Sequence, residues 1–132
     1  ARRADMPAIN FQTQFAPLVE NGIKRQTIRA ARKRPIRVGD TLFLYTGMRT
    51  KQCRRLLVAT CKFTAQIRIE KDPKMARFDP RPTAYPLVYL DGWRGCNPLS
   101  IAISDGFKNL GEMVKWFHKT HGLPFVGQLI RW

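Results

Sequence analysis

Alternation of apolar and polar residues over residues 62–69 is the sequence feature that most constrains the fold. The apolar series is Phe63, Ala65, Ile67 and Ile69, and the polar series is Lys62, Thr64, Gln66 and Arg68. Successive side chains of a strand point to opposite faces of a sheet. The pattern therefore predicts a strand with one buried face and one solvent-facing face, and the buried face needs a second layer packed against it.

Other segments have the same strand composition. We predict strands within residues 41–46, 56–69, 86–91 and 125–131, because each is rich in β-branched, leucine and aromatic residues. Glycine, proline or charged clusters separate these segments. Residues 71–86 contain four prolines and mixed charge, which predicts a long irregular loop between strands.

Two segments have helical spacing. In the first, apolar residues recur at i, i+4, i+7 and i+8, namely Phe11, Phe15, Leu18 and Val19, and residues 21–22 (Asn-Gly) supply a stop. In the second, Asn109 is placed to cap the helix, with Glu112 three residues later. The apolar face of this helix consists of Leu110, Met113, Val114 and Phe117, and the helix should end near residues 120–122.

Short strands combined with two helices predict the α+β class. We expect residues 1–132 to form a single domain, because neither side of the proline-rich loop is long enough for its own core. The expected architecture is a small barrel or strongly curled sheet of about five to six strands, with the two helices packed at its ends.

Charge is the second strong signal. The chain of 132 residues has 24 Lys and Arg against 9 Asp and Glu, a formal net charge of +15. Residues 21–69 hold thirteen basic residues and one acid, Asp40. A field of one sign this strong attracts polyanions and speeds their encounter with the protein. The charge therefore predicts that the protein binds a nucleic acid or a nucleotide.

Three short elements occur in order along the chain. The first is Gly-x-Lys-x-x-Thr-x-Arg, formed by Gly22, Lys24, Thr27 and Arg29; the second is Gly39-Asp40; the third is Asp105-Gly106-Phe107, before the second predicted helix. In this order and spacing the sequence resembles the ASCH family, over about residues 11–131. The family's third element most often begins with Glu. Asp105 departs from that pattern, because its side chain is one methylene shorter than that of Glu.

The resemblance implies a β-barrel fold similar to the PUA RNA-binding domain, with a cleft lined by Lys24, Thr27 and Asp105. Some members of the family are amidohydrolases that remove the acyl group from N4-acylated cytidine. In those, the Thr is the nucleophile, the Lys accepts its proton and the acidic residue donates one to the leaving amine. Other members bind or cut RNA. The function that we expect here is RNA binding; a metal-independent amidohydrolase and a ribonuclease, each using Lys24, Thr27 and Asp105, are the alternatives.

Candidate contacts to nucleic acid follow from the basic runs and the aromatic residues. The basic residues form two runs, the first within residues 24–37 and the second within residues 49–55. Arginine predominates in both runs, and its planar fork suits phosphates and stacks on bases. Tyrosine or tryptophan near a loop could stack on an unpaired base. The predicted nucleic-acid-binding residues are Lys24, Arg25, Arg29, Arg32, Lys33, Arg34, Arg37, Arg49, Lys51, Arg54, Arg55, Tyr45 and Trp93. Phe43, Phe63, Trp116 and Phe117 are predicted to pack in the core or against a helix.

Other classes of site have little support in the sequence. Cys53, Cys61 and Cys96 are too few and too far apart for a disulfide framework or a zinc ribbon, so we expect no metal and no cofactor. His118 and His121 are predicted to be solvent-facing residues at a helix end. The longest apolar run has about four residues, whereas a membrane span needs about 20. We expect the protein to be a cytoplasmic monomer that does not associate with a membrane. Its expected partner is RNA or a nucleotide, and single-stranded nucleic acid is included.

Overall fold

The computed structural model describes residues 7–132, which form two open sheets and three α-helices. One sheet has three strands, β1 (Ala8–Phe11), β3 (Thr41–Thr46) and β4 (Arg54–Thr60), in the order β1-β3-β4. The other has four, in the order β2-β7-β5-β6: β2 (Gln26–Ala30), β5 (Phe63–Lys71), β6 (Pro86–Leu90) and β7 (Phe125–Arg131). The α+β class is confirmed.

Within residues 7–132 the strands do not form the closed barrel that was predicted. Seven strands divide between two sheets, where a barrel of about five to six was predicted. Residues 56–69, predicted as one strand region, split into β4 and β5 at Cys61-Lys62. The break follows from hydrogen bonding: the Cys61 amide donates to the carbonyl of Asp40, and the Lys62 amide donates to the carbonyl of Arg131, so the chain changes sheets there.

The alternation in β5 is largely confirmed. Ala65, Ile67 and Ile69 are buried against the helices, whereas Phe63 is 40% exposed, so its predicted burial is wrong. Phe63 lies at the first position of β5, where the Arg131 guanidinium covers its ring at 5.2 Å from the centroid. An end position therefore leaves this ring partly open to solvent.

The helices are α1 (Ala16–Glu20), α2 (Pro98–Ser104) and α3 (Leu110–His121), with short 3-10 turns at Thr13–Phe15 and Pro73–Met75. The predicted second helix is confirmed as α3: the Asn109 side chain accepts a hydrogen bond from the Glu112 amide, and Gly122 ends the helix. The predicted first helix is shorter than expected, because Phe11 belongs to strand β1 and pairs with Thr46. Helix α2 was not predicted.

Two hydrophobic cores fill the structure. The first lies between the four-stranded sheet and helices α2 and α3, and includes Ile67, Leu129 and Phe117. The second lies between the two sheets and includes Phe11, Leu44 and Ile130. Strand β2 is an edge strand and contributes Ile28 to the first core.

The long loop predicted over residues 71–86 is confirmed between β5 and β6, apart from its single 3-10 turn. Lys71 fixes it by donating to the carbonyls of Asp79 at 2.6 Å and Arg81 at 2.7 Å. No helix within residues 7–132 has the length and hydrophobicity to cross a membrane.

Candidate functional site

A cavity of about 430 Å³ opens beside strand β2. We call it the seam cavity. Its polar lining consists of Asn10, Gln12, Lys24, Thr27, Arg29 and Asp105. Its aromatic lining consists of Phe11, Phe15, Phe107, Trp116, Phe117 and His121. Lys24, Thr27, Arg29 and Asp105, which the sequence analysis selected, thus lie around one space.

Lys24 reaches the cavity because β2 begins only at Gln26. The residue sits in the turn after α1, where its amide donates to the carbonyl of Leu18 at 2.9 Å. The side chain is 4% exposed, and its ammonium group donates to the backbone carbonyl of Asp105. The nitrogen also lies 5.1 Å from the centroid of the Phe15 ring. Burial lowers the pKa of Lys24, an effect that the charge of Asp105 opposes.

Asp105 lies beside Lys24 in the lining of the cavity. It caps the C-terminal end of α2, where its amide donates to the carbonyl of Ile101 at 3.1 Å. Its Oδ1 accepts a hydrogen bond from Gln26 Nε2 at 3.2 Å and lies 3.6 Å from Lys24 Nζ. Burial raises the pKa of this carboxyl, and the charge of Lys24 opposes the rise. Both groups are therefore shifted toward their neutral forms.

Thr27 and Arg29 are two residues apart in β2, so their side chains share a face. Arg29 Nε donates to Thr27 Oγ1 at 2.8 Å, and the guanidinium carbon lies 4.9 Å from the centroid of the Phe11 ring. Thr27 is 3% exposed. A fixed cation that donates to a hydroxyl oxygen stabilises negative charge on that oxygen. The arrangement suits either a bound anion or a reactive hydroxyl.

The first basic run begins at the cavity and continues into solvent. Ala30 lines the cavity, and the exposed residues Arg32, Lys33, Arg34 and Arg37 follow directly. Burial lowers the pKa of Arg29, and the positive charge of Arg32 lowers it further. The loop that contains Arg32 therefore lies beside the site. We call residues 31–37 the basic loop.

The second basic run does not line the cavity, and a hydrogen bond ties its turn to one residue of the cavity lining. Arg49 and Lys51 belong to the turn between β3 and β4, whose Met48 amide donates to Asn10 Oδ1 at 2.9 Å. Asn10 lines the cavity. Arg54 and Arg55 follow on β4, and Arg54 forms an exposed ion pair with Glu20 at 2.6 Å. Its charge is therefore partly neutralised.

Three predicted residues lie elsewhere. Arg25 is exposed and its Nε donates to the carbonyl of Trp132 at 3.2 Å. Trp93 is 71% exposed in the turn after β6. Tyr45 lies in β3, partly buried, opposite Asn10. None of the three lines the seam cavity.

The aromatic wall and Gln26 were not predicted as part of a site. Trp116 was expected to pack against a helix, yet it is 36% exposed and lines the cavity beside Phe107, with ring centroids 6.1 Å apart. His121 is exposed at the end of α3 as predicted, but its ring stacks on Phe117 at 5.9 Å and borders the cavity. Gln26 is 1% exposed and links Asp105 to Arg131 Nε, whose hydrogen bond it accepts at 3.0 Å. The only sequence signal for Gln26 is its position two residues after Lys24.

The described residues include no group of three or more His, Cys, Asp or Glu that could hold a metal ion. No protein-family model, curated protein or solved structure matches this chain. The resemblance to the ASCH family accordingly stays a prediction from the three sequence elements.

Proposed function

We propose that the protein binds single-stranded RNA and holds one unpaired base in the seam cavity, as part of an ASCH-like, PUA-related domain. The observation that carries this proposal is an aromatic-walled cavity of about 430 Å³, lined by Lys24 and Arg29 and followed directly along the chain by the basic loop. Sequence-specific RNA recognition uses unpaired bases that stack on aromatic rings and hydrogen-bond through their edges. Both kinds of contact are available in this one cavity.

The walls suit a flat, uncharged ligand with polar edges. Trp116 and Phe107 supply exposed ring surface, and stacking of a base on an aromatic side chain contributes about 1–3 kcal/mol. Thr27, Asp105 and Asn10 supply polar atoms from the facing elements. A buried polar group binds a matching partner and penalises one that leaves it unpaired, so these residues would select among bases.

The basic loops suit the phosphates on either side of that base. Arg32, Lys33 and Arg34 are exposed and make no hydrogen bond or ion pair within residues 7–132. Neutralising phosphates releases condensed counterions, which makes RNA binding steeply dependent on salt. The net charge of +15 far exceeds what an uncharged nucleoside would need.

The test is fluorescence anisotropy of a labelled RNA single strand with Trp116→Ala. Trp116 is 36% exposed and belongs to neither hydrophobic core, so its removal leaves the buried cores in place. We expect binding to weaken about 5- to 150-fold, the range that corresponds to one lost stacking contact. Phe78→Ala is the matched control, because Phe78 is 62% exposed in the loop before β6 and does not line the cavity. Equal affinity of Trp116→Ala and the native protein would contradict the proposal.

A second candidate is hydrolysis of an N4-acylated cytidine, and the grouping of Lys24, Thr27 and Asp105 around one cavity favours it. A neutral Lys24 amine would take the Thr27 hydroxyl proton as Oγ1 attacks the acyl carbon. A protonated Asp105 would give its proton to the departing N4 amine, and water would then release the acyl group from Thr27. The directions of the two pKa values suit these roles.

The two candidates separate in one assay. Chromatography of an N4-acylated cytidine incubated with the protein should reveal free cytidine if the protein is an amidohydrolase, and Thr27→Ala should abolish that product. Thr27→Val keeps the shape of the side chain and removes the hydroxyl, so it serves as the matched variant. A substrate that survives intact with the native protein would contradict the second candidate and leave the binding proposal standing.

A further inference from the structure

We propose that a second cavity, on the far side of the basic loop, binds the nucleotide next to the one in the seam cavity. This inference rests on the proposed RNA binding and assigns the strand's path. The second cavity, which we call the loop cavity, has a volume of about 410 Å³. The residues that carry the argument are Ala31, Arg32, Thr64, Gln66, Asp91 and Gln128, all of which line it.

The two cavities adjoin. Ala30 lines the seam cavity, and the next residue, Ala31, lines the loop cavity. Arg29 pairs with Gln128 across β2 and β7, and Gln128 pairs with Gln66 across β7 and β5. Directly paired residues project from the same face of a sheet. A row of Arg29, Gln128 and Gln66 therefore leads from one cavity to the other.

The basic loop crosses this row between the cavities. Ile36, which is 3% exposed, anchors it: the Ile36 amide donates to Gln128 Oε1 at 3.1 Å, and Gln128 Nε2 donates to the Ile36 carbonyl at 2.5 Å. The loop's cations, Arg32 to Arg34, belong to the segment that joins Ala30 in the seam cavity to Ile36 on Gln128, and Arg32 itself lines the loop cavity. A strand with one base in each cavity would place the linking phosphate on them.

Polar groups in the loop cavity are available for a ligand. The side chains of Thr64 and Gln66 have no hydrogen-bond partner within residues 7–132, so the amide can both donate and accept. Asp91 Oδ1 accepts from the Gln66 amide nitrogen of the backbone at 2.8 Å, whereas its second oxygen has no partner there. A carboxylate oxygen accepts a hydrogen bond from a ribose hydroxyl, and the 2′-hydroxyl distinguishes RNA from DNA.

The test compares one nucleotide with four. Titration calorimetry would measure binding of the four ribonucleoside monophosphates and of the four RNA homotetranucleotides to the native protein and to Gln66→Ala. We expect Gln66→Ala to weaken tetranucleotide binding about 3- to 10-fold, the loss of one hydrogen bond, and to leave mononucleotide binding unchanged. Gln14→Ala is the matched control, since Gln14 is exposed and lines neither cavity.

A second variant tests the ribose contact. Asp91→Asn keeps the Oδ1 hydrogen bond to the backbone and replaces the free oxygen by a donor, so we expect the ratio of RNA to DNA tetranucleotide affinity to fall about 3- to 10-fold. If Gln66→Ala binds the tetranucleotides as tightly as the native protein does, while Trp116→Ala binds them more weakly, this inference is overturned and the proposed function stays intact. No binding of either ligand by the native protein would overturn both.

Discussion

Lys24 Nζ lies 3.6 Å from Asp105 Oδ1, and both side chains are more than nine-tenths buried. Two unlike charges removed from water in this way stabilise one another only as long as both are present. Breaking such a pair from one side costs about 3–5 kcal/mol, because the remaining charge is left buried and uncompensated.

The first prediction is that Lys24→Met lowers the free energy of unfolding by about 3 kcal/mol. The double variant Lys24→Met with Asp105→Asn should recover much of that loss, since it leaves neither member of the pair charged without its partner. Urea denaturation of the two single variants and the double variant forms a mutant cycle. Additive losses in the double variant would contradict the assignment of a coupled pair.

The second prediction concerns the pH dependence of stability. Burial raises the pKa of Asp105 in the folded protein above its ordinary value of 3.8. Between those two pKa values the folded state binds more protons, so this residue's contribution to stability is present below pH 3.8 and is lost as pH rises through the folded pKa. Compared with Asp105→Asn, the native protein should lose stability over that interval. Parallel stability curves measured by denaturation from pH 3 upward would contradict the direction of the shift.

The third prediction tests how closely β2 and β7 approach. A Cβ added to Gly127 would lie 2.2 Å from the carbonyl oxygen of Arg29 and 2.6 Å from the Phe125 ring. Gly127→Ala should therefore displace β2 and destabilise the protein by about 1–3 kcal/mol. Gly111→Ala is the matched control. Its new Cβ meets only Asn109 Oδ1, at 3.4 Å, and alanine favours a helix by up to about 1 kcal/mol. Equal melting temperatures of the two variants would contradict the packing described here.

The fourth prediction is that Gln128 holds the basic loop in place. Gln128→Ala removes both hydrogen bonds to Ile36 and should destabilise the protein by about 1–3 kcal/mol, with faster hydrogen exchange at the Ile36 amide. Gln52→Ala, in the exposed turn before β4, should change neither. An Ile36 amide that exchanges at the native rate in Gln128→Ala would show that the loop is held by other contacts.

Much of the four-stranded sheet follows from local pattern. The alternation in β5 and the cap at Asn109 are local signals, and the structure confirms the cap and, apart from Phe63, the alternation. The grouping of Lys24 and Thr27 needed one further condition, that β2 begin after Lys24, and β2 begins at Gln26. These features depend on neighbouring residues, which a sequence displays directly.

The remainder depends on contacts between distant residues. The spacing of Phe11 and Phe15 also fits a helix, and only the parallel pairing of β1 with β3 makes Phe11 part of a strand. Helix α2 has only seven residues, although Asn97 and Pro98 provide its start signals. Because α2 positions Asp105, the third member of the polar group could be placed only by the structure. The aromatic wall likewise joins residues more than 90 positions apart, such as Phe15 and Trp116.

The most direct test of RNA binding is a salt series with the native protein, using a labelled RNA single strand, an RNA hairpin and a DNA duplex in fluorescence anisotropy. We expect preference for the single strand and a steep fall in affinity with salt. In a variant with Arg32, Lys33 and Arg34 all changed to Ala, the slope of log affinity against log salt concentration should become shallower, because up to three phosphate contacts are lost. Electrophoresis of the RNA afterwards separates binding from cleavage, since shortened RNA would indicate a ribonuclease. No binding of the single strand near physiological salt would contradict the account.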